Sequence, residues 1–228
     1  MIGDPPVVTL KREFSRPSEA QCTAFEGVPT GFVVDAQNGQ GALDHRIKPL
    51  WPQSTFAGPA VTAHCGPRDN LGVFVALEIA QAGDVLVIAT DAFEGTAVIG
   101  DHVAAMARNK GIAAIVTDGV VRDVEGLIAV GLPVFCRGVT PNSGYKTGPC
   151  TVGTEIVLGG VTIRAGDLLV GDRDGVVVVP QAEIDQVAAR LDDVRAKEEA
   201  MGEAIANGLI VPDWVGELLA SERTRLLD

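Results

Sequence analysis

Apolar residues follow two regimes along the chain. Up to about position 136, compact runs alternate with stretches of three- and four-residue spacing; beyond 150, short clusters sit between turn residues. The first regime predicts a helix–turn–helix over 19–40, a strand over Ala57–Ala63 and a helix over Asn70–Ile79. The run Asp84-Val85-Leu86-Val87-Ile88-Ala89, closed by Thr90-Asp91, reads as a buried strand. Val103, Ala104, Met106 and Ala107 give an apolar stripe to a helix between Gly100 and Gly111, with Asp101 at its start. Ile112–Val116 is another buried strand, followed by the polar turn Thr117-Asp118-Gly119. A short helix over Val124–Val130 and a strand over Leu132–Phe135 come next. Strand–helix–strand alternation predicts parallel pairing, because the crossovers carry helices.

The second regime predicts short strands at Val152–Val157, Val161–Ile163, Leu168–Val170 and Val176–Val179. Gly159-Gly160, Ala165-Gly166-Asp167 and Asp172-Arg173-Asp174-Gly175 separate them, and such turn chemistry makes hairpins or tight corners. From Gln181 to about Asn207, Ile184, Val187, Ala188, Leu191 and Val194 mark one face of a long helix. Charges fill its other face and Asn207-Gly208 stops it. The expected fold is a mixed α/β sandwich in one domain, 1–228. It has a peripheral N-terminal segment, 1–18, and a C-terminal helix and tail over about 181–228.

Composition narrows the partners. With 228 residues, 46% of them hydrophobic, the chain can bury a large core. Eighteen Lys and Arg against thirty Asp and Glu leave a net charge of −12, which offers no footprint for a phosphate backbone, so no nucleic-acid partner is expected. The longest apolar runs are strand-sized, short of a membrane span. The N-terminus, MIGDPPVVTLKREF, lacks the basic start and apolar centre of a signal peptide. Cys22, Cys65, Cys136 and Cys150 form no CxxC pair and read as reduced thiols of a cytoplasmic protein; three histidines without HxH or HExxH spacing argue against zinc.

The candidate chemistry lies around two short stretches. Gly100 precedes the helix that starts at Asp101, and a helix N-terminus presents free amides and a positive dipole end to an anion; Asp101 is equally readable as a helix cap. Arg122-Asp123 follows a strand and its turn, where α/β proteins place their sites. Arginine is a planar fork for a carboxylate and aspartate a hard ligand for Mg²⁺ or Mn²⁺, although an isolated Arg-Asp pair is also an ordinary surface ion pair. One helix and one strand separate the two stretches, so both can reach the same sheet edge. Two carboxylates, one arginine and helix amides would then suit a metal-bound 2-oxo acid.

Gly100-Asp101, twenty residues, then Arg122-Asp123 resembles the D-x20-R-D motif of the RraA-like, class II pyruvate aldolases, the 4-hydroxy-4-methyl-2-oxoglutarate / 4-carboxy-4-hydroxy-2-oxoadipate aldolase family. Phe56–Thr62, Gly83–Val87, Asp118–Asp123, Pro133–Gly138, Gly159-Gly160-Val161, Gly166-Asp167 and Gly171–Val176 extend the likeness over about 20–208. The resemblance implies an αββα sandwich of the swivelling, phosphohistidine-domain-like type, assembled as homotrimers or hexamers, with the C-terminal helix packing on a neighbouring subunit. It implies that Asp123 binds a divalent metal, Mg²⁺ or Mn²⁺, and that Asp101 takes part through water on that metal. It further implies that Arg122 holds substrate and stabilises a pyruvate enolate, while the backbone at Gly100, His102 and Val103 receives its carboxylate. The resemblance also implies that a C-terminal-helix glutamate of a neighbouring subunit completes the metal set; counting back from Asn207-Gly208 places it at Glu198, with Glu199 as runner-up, and both are equally readable as solvated helix charges.

The implied activity is a metal-dependent lyase that cleaves carboxylated 4-hydroxy-2-oxo acids to pyruvate, with oxaloacetate decarboxylation as a side activity. The alternative is a non-catalytic regulator that binds ribonuclease E-like machinery. A methyltransferase reading has no GxGxxG turn after a strand to support it. Thr90–Gly95 and the tail Gly208–Trp214 depart from the family pattern, in regions that could shape the pocket for the distal half of a substrate. Lys146, in the polar loop Asn142–Gly148, lacks the burial a Schiff-base lysine needs, leaving contact with a substrate carboxylate as its possible role. His64, Asp69 and Asn70 are placed near the pocket mouth, His64 alternatively as a strand histidine. Cys136 is read as core packing, Trp51 and Trp214 as packing or subunit contacts, and Gly171–Gly175 as a turn.

Overall fold

The computed structural model describes residues 6–227. Its main sheet runs, in spatial order, β1 (Val8–Leu10), β10 (Cys150–Val152), β3 (Phe56–His64), β4 (Val85–Ala89), β6 (Ala114–Thr117), β8 (Val134–Cys136) and β2 (Lys48–Pro49). The stretch β3–β4–β6–β8 is parallel throughout, as the crossover pattern predicted. β3 is the hub. Its first half pairs antiparallel with β13 (Leu168–Asp172) and its end with β10, while β13 folds back onto β14 (Gly175–Val179). β11 (Ile156–Leu158) and β12 (Val161–Ile163) form the other hairpin, at Gly159-Gly160.

Every residue of β4 is buried, which is why its sequence is a continuous apolar run rather than an alternation. The two-residue period separates two cores. Val61, Ala63, Leu86, Ile88 and Ile115 face a cluster that includes Val73 and Ala76 of α3 (Leu71–Ile79), Val103, Ala104 and Ala107 of α4 (Asp101–Asn109), and Leu127 of α5 (Val124–Val130). Ala60, Val85, Val87, Ala114 and Val116 share the second cluster with Ile156, Leu158 and Ile163 of the hairpin and with Leu169, Val176 and Val178. The fold is therefore mixed α/β with a mixed sheet.

A second, three-stranded parallel sheet was not apparent in the apolar pattern: β5 (Ala97–Ile99), β7 (Val120–Val121) and β9 (Gly138–Val139). The stretch Val152–Val157, read as one strand, is two, because Gly153 turns the chain at φ +74°. Of the N-terminal segment, residues 1–5 lie outside the described residues, and Val8–Leu10 forms the edge strand β1. The expected helical entry consists of α1 (Glu19–Thr23), with a capping box at Ser18 and Gln21, and α2 (Thr30–Ala36).

The chain divides into two compact units, one ending at Leu191 and one starting at Asp192. The first contains the sheets and the beginning of α6 (Ile184–Ala206), whose Ile184, Val187 and Leu191 are buried. The second contains the rest of α6, the turn at Gly208 (φ +96°) and α7 (Asp213–Leu219); Met201, Ile205, Ile210 and Trp214 are exposed. Among the described residues, no helix is long and apolar enough to cross a membrane.

Candidate active site

β5 and β7 run parallel with Ile99 opposite Val121, so the next residues, Gly100 and Arg122, emerge side by side at the carboxyl ends. The Arg122 amide donates to Ile99 O at 3.1 Å. From there the chain enters α4 at Asp101 and α5 after Asp123. Correct as the sheet-edge expectation was, the strand preceding Arg122 is β7, not the longer run at Ile112–Val116.

Two glycines make the meeting possible. A Cβ on Gly100 would collide with Asp123 Oδ2 and lie 3.2 Å from both Cγ and Nε of Arg122. Gly100 has an ordinary extended φ of −137°, so its requirement is space, not backbone freedom. Consecutive Cα atoms are about 3.8 Å apart, which puts the Asp123 carboxylate within about 8 Å of Asp101 Cα. On α5, a Cβ at Gly126 would come 2.6 Å from Asp101 Oδ2 and 2.7 Å from Asp101 Cβ. Asp123 itself is left-handed, φ +58° and ψ +48°, a region most residues avoid and aspartate tolerates.

Arg122 Nε lies 3.1 Å from Asp123 Oδ2, both side chains being about two-fifths exposed. Arg122 Nη1 donates to Ser143 Oγ. Asp101 Oδ1 accepts the His102 amide at 2.7 Å, so that amide is engaged within the protein. Val103, also in the first turn of α4, has no intrahelical carbonyl to meet its amide.

Gly100, Asp101, His102, Val103, Arg122 and Asp123 all line one cleft of about 360 Å³. Asn70, Phe74, Met106, Ser143 and Lys146 complete much of its wall. Sequence reasoning had no signal for Phe74, Met106 and Ser143 beyond their neighbourhood. Asn70 is at the cleft as expected, whereas His64 and Asp69 belong to a separate cavity of about 330 Å³ with Cys65 and Cys150. There His64, at the end of β3, places Nε2 2.8 Å from Asp91 Oδ1. Cys136 is buried, and burial pushes its thiol up to about 11, consistent with a packing role.

Asp69 holds the cleft's outer loop. Its carboxylate accepts the amides of Leu71 at 2.8 Å, Thr147 at 2.6 Å and Gly148 at 2.9 Å, with the Thr147 hydroxyl at 3.2 Å. Burial works against the charge, but these donors outweigh it and hold the carboxyl below its ordinary value of 3.8. Because the folded value lies below the unfolded one, this contribution to stability is complete above about pH 4 and is lost as pH falls through the folded value. Asp69→Asn is therefore expected to flatten the acid limb of a stability–pH curve measured by urea unfolding; an unchanged limb would assign the acid sensitivity elsewhere.

Among the described residues, no group of three or more His, Cys, Asp and Glu is gathered into a metal cage. The cleft contributes the two carboxylates Asp101 and Asp123, hard oxygen donors of the kind Mg²⁺ and Mn²⁺ take. Glu198 and Glu199 are exposed on the part of α6 that belongs to the second unit.

The model of the RraA-like family, described as Aldolase/RraA, matches residues 30–178. A protein of Halalkalibacterium halodurans with the provisional name 4-hydroxy-4-methyl-2-oxoglutarate aldolase is 39% identical over 188 residues, 82% of this chain and 90% of that protein. Among solved structures, an uncharacterized protein from Pseudomonas syringae pv. tomato superposes with a TM-score of 0.76 at 28% identity, covering 86% of this chain and 96% of that one. Streptomyces coelicolor RraAS2, described as an unusual member of the RNase ES inhibitor RraA protein family, gives 0.75 at 27% identity, covering 82% and 99%.

Proposed function

The chain belongs to the RraA-like family, and from that premise we propose that it is a divalent-metal-dependent lyase cleaving small carboxylated 4-hydroxy-2-oxo acids to pyruvate. One observation carries the reading: Gly100-Asp101 and Arg122-Asp123 meet at the carboxyl ends of two paired strands, in one cleft, beside the first turn of a helix. The likeness to the provisionally named aldolase supports it.

The donor set fits a hard dication. Asp123 would hold it, with Asp101 beside it and, on this reading, Glu198 of a second copy in a homotrimer or hexamer. When bound, Mg²⁺ or Mn²⁺ supplies Lewis-acid polarisation of the substrate's keto group. The helix amides around Val103 would receive the C1 carboxylate, where the dipole end favours an anion. Removal of the 4-hydroxyl proton, by Asp101 or by water, lets the C4–O bond become a carbonyl as C3–C4 breaks. The released electron pair forms the C2–C3 double bond and leaves negative charge on the C2 oxygen. Arg122, anchored by Asp123 and Ser143, would neutralise that charge, and protonation at C3 gives pyruvate. Oxaloacetate would give the same enolate by losing CO₂. A cytoplasmic location and no nucleic-acid partner complete the reading.

The test is pyruvate release from 4-hydroxy-4-methyl-2-oxoglutarate before chelation, after it, and after Mg²⁺ is restored. Release that stops and returns is expected. Release indifferent to chelator would remove the metal role. No release from a panel of 4-hydroxy-2-oxo acids, together with capture of a ribonuclease E-type protein, would favour the regulatory reading that the likeness to RraAS2 suggests.

A further inference from the structure

Two buried cysteines outside the cleft stand opposite each other on neighbouring strands. β10 runs antiparallel to β3 with Thr151 opposite His64, so the next pair in register is Cys150 and Cys65. The Gly153 amide donates to Thr62 O at 2.8 Å, which marks those two as a hydrogen-bonded pair. Pairs alternate along an antiparallel ladder, and Cys65 and Cys150 fall at a non-hydrogen-bonded position. Their amides agree: Cys65 N donates away from β10, to Ala89 O at 2.9 Å, and Cys150 N away from β3, to Val7 O at 2.9 Å. At such a position Cα atoms come to about 4.5 Å, inside the range of about 4.4–6.8 Å that a disulfide spans.

The side chains share one side of the sheet. A Cβ on Gly72, in the first turn of α3, would meet Cys65 Sγ at 2.9 Å and Cys150 Cβ at 3.2 Å. That sulfur and that Cβ are therefore within about 6 Å of each other, and rotation about Cα–Cβ brings two such sulfurs into bonding range. Both thiols are free and line the cavity of about 330 Å³, whose exposed residues Pro67, Asp91 and Pro149 open it to small solutes. Cys65 lies four residues before Asp69 and Cys150 two after Gly148. They flank the junction where the Asp69 carboxylate holds the Thr147 and Gly148 amides, at the base of the loop that brings Ser143 to Arg122.

We propose that Cys65 and Cys150 are a reversible thiol–disulfide pair, oxidised by hydrogen peroxide, whose bond clamps the outer loop of the cleft. One thiolate attacks a peroxide oxygen and breaks the O–O bond, leaving a sulfenic acid and a hydroxide that takes the thiol's proton to become water. The second sulfur displaces the sulfenic oxygen, which leaves with the remaining thiol proton as a second water. Two thiols are oxidised and one peroxide is reduced. Burial, reinforced by Cys150, pushes the Cys65 thiol up to about 12, and burial followed by the Asp69 charge raises that of Cys150. Both are protonated at pH 7, so sustained oxidation rather than a brief pulse makes the bond.

Peptide mapping of the full chain after exposure to hydrogen peroxide, with free thiols alkylated in denaturant, tests the bond. A linked Cys65–Cys150 pair is expected, opened by dithiothreitol and forming about tenfold faster per pH unit between pH 7 and 9, as thiolate grows. Alkylation of both cysteines after exposure, or a link through Cys22 in their place, would overturn the proposal. Hydrogen exchange over 142–148 tests the clamp. Asp69→Asn is expected to speed exchange there, and peroxide to slow it again several-fold. Peroxide should bring no such gain when Cys150→Ser, or independently Cys65→Ala, is added. A linked pair that leaves exchange over 142–148 unchanged would overturn the clamp. These readouts need no turnover, so their failure and that of the lyase reading are told apart.

Discussion

Arg122→Ala is expected to lower kcat for pyruvate release by about 10²- to 10³-fold, the usual cost of removing one donor that meets charge developing in a transition state. The geometry explains why the loss should fall on kcat more than KM. Arg122 emerges beside Gly100 and is held from two sides, by Asp123 at 3.1 Å and by Ser143. On the proposed mechanism a group so placed would meet the substrate where the C2 oxygen gains charge, while the helix amides would still bind the ground state. Arg122→Lys should recover little, since a compact ammonium cannot serve Asp123, Ser143 and an oxyanion with one planar fork. Steady-state kinetics with a pyruvate-coupled readout checks this, and near-normal turnover in Arg122→Ala would remove the enolate role.

The second large effect is expected from one methyl group. Gly100→Ala places a carbon where Asp123 Oδ2 now lies and presses on Cγ and Nε of Arg122. Alanine accepts the extended backbone at that position, so the fold has little to lose and the thermal midpoint should barely move. The carboxylate must swing away, and displacements of this kind typically cost 10- to 100-fold in metal affinity. Titration of the protein with Mg²⁺, set beside a thermal scan, separates the two consequences. Unchanged Mg²⁺ affinity with the same midpoint would show that Asp123 is not held there to bind a metal.

The parts of this fold that were legible in the sequence are those whose burial is local and complete. Val85–Ala89 and the runs beginning at Ile112 and Leu132 announce themselves because both faces of a central parallel strand are apolar. Leu168–Asp172 and Gly175–Val179 do so because a turn of polar residues and glycine stands between two such runs. The three-stranded sheet is another matter. Val120–Val121 and Gly138–Val139 are two residues each, too short for any periodicity, and they are strands only because Ala97–Ile99 lies alongside. Gly153 broke a run that looked continuous, since a left-handed turn needs one glycine and leaves no composition signal.

The candidate site was legible as a meeting of two stretches: those that resemble the family's D-x20-R-D pattern do line one cleft. What spacing could not give is the far wall. Asn70 and Lys146 are 76 positions apart and line the same cleft because Asp69 ties the 147–148 turn to the start of α3. Lys146 is exposed, as the polar loop implies, and its place in the wall of the cleft is a tertiary fact.

The left-handed backbone of Asp123 has one more consequence. Such a conformation costs of order 1–3 kcal/mol in non-glycine residues, and glycine would relieve it while deleting the carboxylate. If Asp123 holds the metal as proposed, heat resistance and turnover pull in opposite directions at a single codon. A library selected only for surviving high temperature would drift toward glycine there and, on the proposed mechanism, fall silent, so directed hardening of this scaffold would have to keep that codon frozen.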